Sequence, residues 1–487
     1  MTEARRGQIA LAAIVLILAL YRGLVILLGE LPLFYDQAYY YYWSLNPDWG
    51  YFSKPPVVAW LIALTTGIWG SSELAVDVGA IILYSLTSWV VYLIGRDHFG
   101  EREAIWAGIS FAAMPVVGFN SLFVSTDAPL MFFWALSVLF FGRAVRSDHW
   151  RWWLATGCAA GLGMLSKYSM GVLAVGLLAF LLTSAESRRR LFGRRLWTAV
   201  VLAALILLPN ILWNARHDFV SFRHTAEISQ LDRALFHPDH LLEFFAMQFG
   251  VFGPVFMGLF VWLAFRRSSY RSESDRLMIF PALAMLGVIG LQALLSRAYA
   301  NWAAPAFITA TVLVSAWLVR AGRERLLVSA LALNLLLLSI FYHYHTFAEA
   351  VGAQLRKGQT PYARVLGWRE LGAEVSTRNR LHPRAILLSD SRKHLAYLSY
   401  YAQPRTMQLA WWGPQGGPAR NHYQLVADIS KSSADEFVYA GPRLLAPNEL
   451  AMFGSHEYLG EVAVQPLADL KLSAHLYYLK DFHGYPR

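Results

Sequence analysis

The chain has 487 residues, of which 56% are hydrophobic and only 15% charged, and its formal net charge is +10. Soluble domains carry about 25% charged residues, so a soluble protein of this size, a disordered chain and a coiled coil are excluded. The mean hydropathy of +0.38 predicts an integral membrane protein. The single cysteine, Cys158, excludes an intrachain disulfide framework and a zinc site built from cysteines.

Apolar segments near the length that crosses a bilayer, about 20 residues, recur along the first two-thirds of the chain. They predict about eleven transmembrane helices, at residues 8–28, 73–95, 103–121, 126–142, 152–166, 169–184, 196–213, 241–265, 277–295, 301–319 and 325–343. Residues 56–69 are either a further span or a helix at the interface. The first segment is long for the core of a signal peptide and no clear cleavage site follows it, so it is interpreted as a retained anchor.

Basic residues are distributed unevenly between the two sets of loops that connect these spans. One set holds nineteen arginines, beginning with Arg5 and Arg6 and including the cluster at residues 188–195. The alternate set holds six basic residues: Lys54, Lys167, Arg216, Arg223, Arg233 and Arg297. The positive-inside rule places the arginine-rich loops in the cytoplasm, so the N-terminus is predicted inside and the C-terminus outside. The positive charge is thus mainly a topology signal, and nucleic acid is not an expected partner.

Residues 346–487 differ in composition, because polar residues, glycine and proline return. Short apolar runs at 385–388, 437–440 and 475–479 are typical of β-strands. The sequence therefore predicts two domains, a transmembrane domain at 1–345 and a small α/β domain at 346–487 on the outer side.

Unusual polar residues collect on the side of the membrane that the arginine count marks as outer. They lie in the first outer loop, in the Thr-Asp-Ala-Pro segment at 126–129, between two spans at 166–168, and in the outer loops at 213–225 and 297–301. Charged groups at membrane depth are costly and usually face a cavity. Carboxylates and cations gathered on one face indicate an anionic substrate and acid–base chemistry.

Each of these residues also has an ordinary structural explanation. Asp36 and Asp127 could cap helices, and Lys54 could be an interfacial lysine that extends its ammonium to water. The aromatic run at 39–43 could form a belt at the membrane interface, and the residues at 217–224 could be simple loop residues. Their coincidence on one predicted face favours a functional site.

The order of these segments resembles a known family. An acidic residue in the first outer loop, Lys-Pro-Pro at 54–56, Thr-Asp-Ala-Pro at 126–129, Gly-Leu-Gly-Met-Leu-Ser-Lys-Tyr at 161–168 and Asn-Trp-Ala-Ala-Pro at 301–305 are similar to bacterial family 39/83 membrane glycosyltransferases. These enzymes are relatives of the protein O-mannosyltransferases and the lipid A aminoarabinose transferases. The resemblance covers roughly residues 30–345 and implies a type C glycosyltransferase fold, an α-helical polytopic membrane protein with about 11–13 transmembrane helices.

The resemblance implies a polyprenyl-phosphate sugar donor, used on the periplasmic face of the inner membrane. Asp36 and Asp127 are then the candidate catalytic residues, with Asp36 taking the proton of the acceptor hydroxyl in a single inverting attack. Four cations would neutralise the charge that develops on the donor phosphate: Lys54, Lys167, Arg223 and Arg297. Four further residues are candidates for binding the acceptor or the sugar: Tyr39, His224, Tyr299 and Asn301.

Two positions depart from the family pattern. Many relatives have Asp-Glu where this chain has Asp36-Gln37, and the aminoarabinose transferases carry glutamate before Lys-Pro-Pro, where this chain has Ser53. Without that glutamate the sequence contains no clear metal-binding motif, so no cofactor is identified and the metal is unknown. Aminoarabinose also becomes a less favoured sugar.

The expected function is therefore transfer of a sugar to an envelope acceptor, which could be lipid A, the core oligosaccharide or another glycan. A transporter or flippase for a lipid-linked or anionic substrate is the alternative, although no pair of interrupted helices recurs in the two halves of the chain. A non-catalytic module that binds lipid phosphate is disfavoured by the two aspartates. The sugar and the acceptor are not specified by the sequence.

Overall fold

The computed structural model describes residues 2–28, 31–229, 236–403, 408–413 and 419–485. Arg233, one of the predicted outer basic residues, lies outside them. The chain forms two compact units. Unit 1 comprises Met1–Leu28 and Lys54–Tyr342, and unit 2 comprises Gly29–Ser53 and His343–Arg487. Unit 2 therefore contains residues 29–53 of the first predicted outer loop as well as the C-terminal region. The predicted division at residue 345 places residues 29–53 with the transmembrane domain instead.

Helices make up unit 1 and part of unit 2. In chain order they are α1 Glu3–Leu27, α2 Tyr35–Ser44, α3 Val57–Trp69, α4 Glu73–His98, α5 Glu101–Ala112, α6 Pro115–Asn120, α7 Asp127–Ser147, α8 Trp150–Ser166, α9 Val172–Leu181, α10 Ala185–Arg189, α11 Arg194–Arg216, α12 Val220–Ser229, α13 Pro238–Phe252, α14 Pro254–Phe265, α15 Glu273–Leu295, α16 Ala306–Arg320, α17 Glu324–Tyr342, α18 Tyr344–Ala350, α19 Trp368–Asn379, α20 Arg392–Tyr401, α21 His422–Val426 and α22 Pro447–Leu450.

Every predicted span coincides with a helix or with two consecutive helices. Among the described residues, six helices are long and apolar enough to cross a membrane: α1, α4, α7, α11, α15 and α17. Helices α3 and α16 and the segment Tyr168–Leu181 are apolar but shorter. The structure therefore supports a multi-pass membrane protein, in which several of the predicted spans are shorter helices or pairs of helices.

The predicted span at 241–265 is not one straight helix. The helix axis bends by 118° between α13 and α14. Gly253 between them has φ +96°, a conformation that favours glycine, and Pro254 begins the second helix. The predicted span at 103–121 is likewise divided into α5 and α6, because Pro115 begins a new helix.

Close helix packing fixes α8, which leads to Lys167. A Cβ added at Gly157 would lie 2.5 Å from the carbonyl oxygen of Ala199, so only glycine lets α8 approach α11 this closely. Gly176 has the same role between α9 and α15, where an added Cβ would lie 2.5 Å from the Cα of Pro281. The helices on either side of Lys167 are therefore held by direct backbone contact.

Unit 2 contains a five-stranded mixed sheet with strand order β2-β1-β3-β5-β4. The strands are β1 Ile386–Ser389, β2 Leu409–Trp411, β3 Glu436–Gly441, β4 Phe453–Leu467 and β5 Leu470–Phe482. Strand β1 pairs in parallel with β2 and β3, whereas β3 with β5 and β5 with β4 are antiparallel. The three predicted strands are confirmed as β1, β3 and part of β5. The small α/β domain is confirmed, and β2 and β4 were not predicted.

Helix α2 belongs to unit 2 because its aromatic side chains are buried there. Tyr41 packs edge-on against Tyr400 of α20 with ring centroids 4.9 Å apart, and Trp43 lies 5.6 Å from His422. The hydroxyl of Tyr401 accepts a hydrogen bond from the backbone N–H of Leu33 at 2.7 Å. The aromatic run at 39–43 therefore contributes to the core of unit 2.

Candidate active site

Three residues from separate parts of unit 1 meet at the start of α7. The ammonium of Lys167 donates to Oδ1 of Asp127 at 2.6 Å, and the side-chain amide of Asn301 donates to Oδ2 at 2.8 Å. The side chains of Asp127 and Lys167 are only 5% and 18% exposed. Both carboxylate oxygens thus bond to other segments, which argues against a simple capping role for Asp127.

Lys167 reaches this position because α8 stops at Ser166. Lys167 itself has an extended backbone, and a short 3-10 turn at Tyr168–Gly171 precedes α9. The Lys167 carbonyl accepts from the backbone N–H of Met170 at 3.0 Å. An ammonium has three N–H donors, so Lys167 can hold Asp127 and still donate to an anionic ligand.

Asn301 lies in a 3-10 turn at Ala300–Ala303, directly before α16. Buried Gln248 of α13 donates to the carbonyl of Ala300 at 3.3 Å, which ties this turn to the neighbouring helix. Arg297 and Tyr299 precede the turn and are both exposed, with the guanidinium 5.5 Å from the centre of the tyrosine ring. The structure thus brings Asn301 to Asp127 and leaves Arg297 and Tyr299 on the surface of unit 1.

The residue after Lys167 connects it to the end of α11 and the start of α12. Tyr168 donates to the side-chain oxygen of Asn210 at 2.8 Å, and Asn214 donates to the Tyr168 hydroxyl at 3.3 Å. The ring of Tyr168 stacks on Phe222 with centroids 4.7 Å apart. Sequence reasoning gave none of these residues a role, although Tyr168 belongs to the family-like segment.

The predicted residues Arg223 and His224 lie on α12, which follows a sharp turn. Asp218 and Phe219 in this turn both have positive φ, at 53° and 54°. Arg223 is exposed, and His224 is half-buried with Nδ1 3.8 Å from a carboxylate oxygen of Glu227. Lys54 is half-buried and precedes Pro55 and α3.

The other predicted carboxylate, Asp36, lies in the first turn of α2 in unit 2. It is half-buried and lines an open cavity of about 510 Å³ with Phe34, Tyr35, Arg364, Arg392 and Lys393. The Gln37 side chain accepts from the backbone N–H of Phe34 at 2.5 Å, so glutamine at this position caps the helix. Asp36 therefore has cations as neighbours.

Burial and the neighbouring charges shift the pKa values of two groups that line this cavity, Tyr35 and Lys393. Burial raises the pKa of Tyr35, and Asp36 raises it further, whereas Arg392 opposes both. Burial lowers the pKa of Lys393, and the positive charges of Arg364 and Lys357 lower it further. Sequence reasoning missed these basic residues.

Tyr39, a predicted sugar-binding residue, is buried in unit 2. Its hydroxyl accepts a hydrogen bond from the backbone N–H of His422 at 2.5 Å, and its ring packs against Trp43 and Tyr423 at 4.8 and 5.2 Å. With 1% of its surface exposed, Tyr39 holds α2 in unit 2.

Three side chains at the start of α13 could hold a divalent metal. In the described part of the chain, the ligand atoms of His237, Asp239 and His240 lie within 4.8 Å of one another. Nδ1 of His240 contacts the carbonyl oxygen of Ser296, so its Nε2 is the nitrogen available to a metal. Two imidazoles and a carboxylate are a ligand set that zinc accepts. Sequence reasoning had named no ligand here.

Comparison with known proteins relates this chain to membrane glycosyltransferases. Residues 53–213 match the family model described as dolichyl-phosphate-mannose-protein mannosyltransferase, a region that includes Lys54, Asp127 and Lys167. The lipid A galacturonosyltransferase RgtD of Rhizobium johnstonii is 31% identical over 86% of this chain and 88% of its own length. The undecaprenyl phosphate-α-4-amino-4-deoxy-L-arabinose arabinosyl transferase of Pseudomonas aeruginosa is 25% identical, over 33% of this chain and 30% of its own.

The fold also has a counterpart among solved structures. The crystal structure of ArnT from Cupriavidus metallidurans bound to undecaprenyl phosphate superposes with a TM-score of 0.65, covering 96% of this chain and 97% of that one at 15% identity. The predicted type C glycosyltransferase fold is thereby confirmed. The similarity to RgtD extends along most of both chains, so the predicted resemblance is confirmed as well: the chain belongs to the ArnT-like and protein-O-mannosyltransferase-like family of membrane glycosyltransferases.

Proposed function

We propose that this enzyme transfers a sugar from a polyprenyl-phosphate donor to lipid A or another envelope glycan on the periplasmic face of the inner membrane. The observation that carries the proposal is the 31% identity to a lipid A galacturonosyltransferase over 86% of the chain. That undecaprenyl phosphate binds to ArnT, a protein of the same fold, supports the class of donor. Nucleotide sugars are confined to the cytoplasm, so an outward-facing site requires a lipid-linked sugar.

The reaction is a single displacement at the anomeric carbon. The acceptor oxygen forms the new bond to this carbon while the bond from carbon to phosphate oxygen breaks, and polyprenyl phosphate leaves with the electron pair. Asp36 accepts the proton of the acceptor hydroxyl. Because the nucleophile enters opposite the leaving group, the anomeric configuration inverts.

The cations of unit 1 stabilise the phosphate leaving group in this proposal. Lys167 is the best supported of them, since Asp127 fixes its ammonium at 2.6 Å and two further N–H donors remain for an anion. Asp127 then orients Lys167, and Asn301 completes the arrangement at 2.8 Å. Lys54, Arg223 and Arg297 are assigned to the same phosphate from their predicted outer location.

The remaining predicted residues differ in what they can contact. His224 is half-buried and Tyr299 is exposed, so both can reach a sugar or an acceptor. Tyr39 is buried and hydrogen-bonded to His422, which supports a role in positioning α2 and therefore Asp36. We assign the transmembrane domain to 1–345 and the periplasmic α/β domain to 346–487. Residues 29–53 fall within the first range but belong to the same compact unit as the periplasmic domain.

Reporter fusions test the proposed membrane topology, in which the arginine-rich loops are cytoplasmic and residues 346–487 are periplasmic. A fusion at Arg190 is expected to report the cytoplasm and a fusion after Tyr362 the periplasm, because the arginine-rich loops remain inside. Alkaline phosphatase and green fluorescent protein fusions give opposite signals on the two sides. A periplasmic signal at Arg190 would contradict the proposal, since the predicted site residues would then lose their common face.

Substitution of Lys54 tests the donor-phosphate assignment. Lys54→Ala is expected to raise the KM for the lipid donor by about tenfold or more, because a charge-assisted contact contributes about 1.5–3 kcal/mol. The matched control is Lys431→Ala, which removes an exposed lysine from unit 2. Initial rates over a range of donor concentrations check the prediction. An unchanged donor KM and kcat would remove Lys54 from the site.

Transfer of radiolabel tests the function itself. The purified enzyme is incubated with polyprenyl-phosphate galacturonic acid, radiolabelled in the sugar, and with lipid A. Label is expected to appear in lipid A, and mass spectrometry of envelope glycolipids from cells with and without the gene identifies the natural product. Movement of the labelled lipid across a vesicle without any transfer would instead support the transporter alternative.

A further inference from the structure

The cavity beside Asp36 contains an excess of positive charge. Its lining includes three cations, Arg364, Arg392 and Lys393, and one carboxylate, Asp36. Among the described residues, no ion pair within 4 Å joins any of these three cations to a carboxylate; the nearby Asp390 accepts instead from Arg443 at 2.9 Å and from Tyr439 at 2.9 Å. A cleft lined mainly by cations attracts and concentrates anions.

The fold of unit 2 explains why the cations lie there. Strand β1 has parallel neighbours on both sides, and the chain leaves its carboxyl end through Ser391 into α20. The connection from β1 leads to β2 on one side, whereas β3 adds on the other side. In α/β sheets, ligands bind outside the carboxyl ends of the strands where the connections diverge in this way. Arg392 and Lys393 are the first two residues of α20, where the helix dipole also favours an anion.

Aromatic contacts fix two of these cations. The Arg392 guanidinium lies over the rings of Tyr35 and Tyr39, 5.0 and 5.6 Å from their centres. The Lys393 ammonium lies 5.1 Å from the centre of the ring of Trp368, which is buried. Burial and the neighbouring cations lower the pKa of Lys393, so a bound anion would relieve repulsion that is already present.

We propose that this cavity binds a phosphate group of the acceptor glycolipid and so places the acceptor hydroxyl beside Asp36. This inference rests on the proposed function, in which Asp36 accepts the proton of that hydroxyl. A planar guanidinium can donate two parallel hydrogen bonds to phosphate, and Lys393 adds a further donor.

The experiment compares two acceptors on the full-length enzyme: lipid A that carries its phosphates, and lipid A treated with phosphatase. Arg364→Gln and Lys393→Gln are expected to raise the KM for phosphorylated lipid A about tenfold to a hundredfold. The KM for dephosphorylated lipid A should be the same in both variants as in the wild type, and the KM for polyprenyl-phosphate galacturonic acid should stay unchanged. Arg380→Gln is the control, because it removes an exposed positive charge of unit 2 that does not line the cavity.

A direct measurement of acceptor binding tests this inference independently of the proposed function. Binding of phosphorylated lipid A without donor needs no turnover, so it is measured even if the wild-type enzyme transfers nothing. Weaker binding by both cavity variants, for phosphorylated lipid A only, would support the inference. Equal binding by wild type and variants, an equal loss with both acceptors, or a rise in donor KM instead of acceptor KM would overturn it.

Discussion

Replacing Asp36 with asparagine is expected to lower the rate of sugar transfer by about a hundredfold or more, the usual contribution of a positioned general base. Asparagine keeps the size of the side chain and its hydrogen-bonding capacity but cannot accept the proton. Asp36 lines an open cavity of unit 2, where an acceptor hydroxyl can reach its carboxylate. Binding of the donor should be largely retained.

Single-turnover transfer at saturating donor measures this effect. Asp48→Asn is the matched control, since it makes the same chemical change at an exposed aspartate twelve residues along the same unit. If Asp36→Asn reacts at the wild-type rate while Asp127→Asn is inactive, the base has been assigned to the wrong carboxylate. If both variants react normally, neither carboxylate is catalytic and the transporter alternative gains support.

Replacing Lys167 with methionine is expected to destabilise the protein by about 3–5 kcal/mol. The Asp127 carboxylate is 5% exposed and bonds to Lys167 at 2.6 Å, so loss of the ammonium leaves a buried charge without its counterion. Activity should fall as well, because Lys167 is the proposed donor to the leaving phosphate. The midpoint of thermal unfolding in detergent measures the change in stability.

A double substitution shows whether the ion pair causes that loss. Combining Lys167→Met with Asp127→Asn removes the unpaired charge and should recover part of the stability, so the two changes should not add. Lys471→Met provides the comparison, since its pair with Glu461 is 59% and 35% exposed and exposed pairs contribute about 0–1 kcal/mol. Additive losses in the double variant would mean that Asp127 and Lys167 are not coupled.

Much of the fold could be predicted because its signals are local. Apolar length located the helices of unit 1, and apolar runs located β1, β3 and β5. Strand β2 has only three residues, and most side chains of β4 are exposed or half-buried, so neither has a strong apolar pattern. The break between α13 and α14 has a signal in the sequence, the Gly-Pro pair at 253–254. The single span predicted at 241–265 was based on apolar length alone and therefore missed it.

The sequence identified residues of the candidate site, but it did not show which of them contact one another. Asp127, Lys167 and Asn301 were identified from their family-like segments, yet separations of 40 and 174 residues carry no information on contact in a single sequence. Arg392 and Lys393 look like ordinary surface residues until the carboxyl end of β1 is known. Tyr39 was predicted to bind the sugar or the acceptor, but the structure places it in the core of unit 2.

The discontinuity of unit 2 has a consequence for how the protein is made. The ribosome completes Gly29–Ser53 first, but the partner segment His343–Arg487 follows only after the whole of Lys54–Tyr342. At roughly 5–20 residues per second this interval lasts tens of seconds. Throughout that time the aromatic face of α2, including Tyr41 and Trp43, has no finished core to enter. Biogenesis therefore requires that this short segment be shielded from aggregation and proteolysis until the C-terminus emerges.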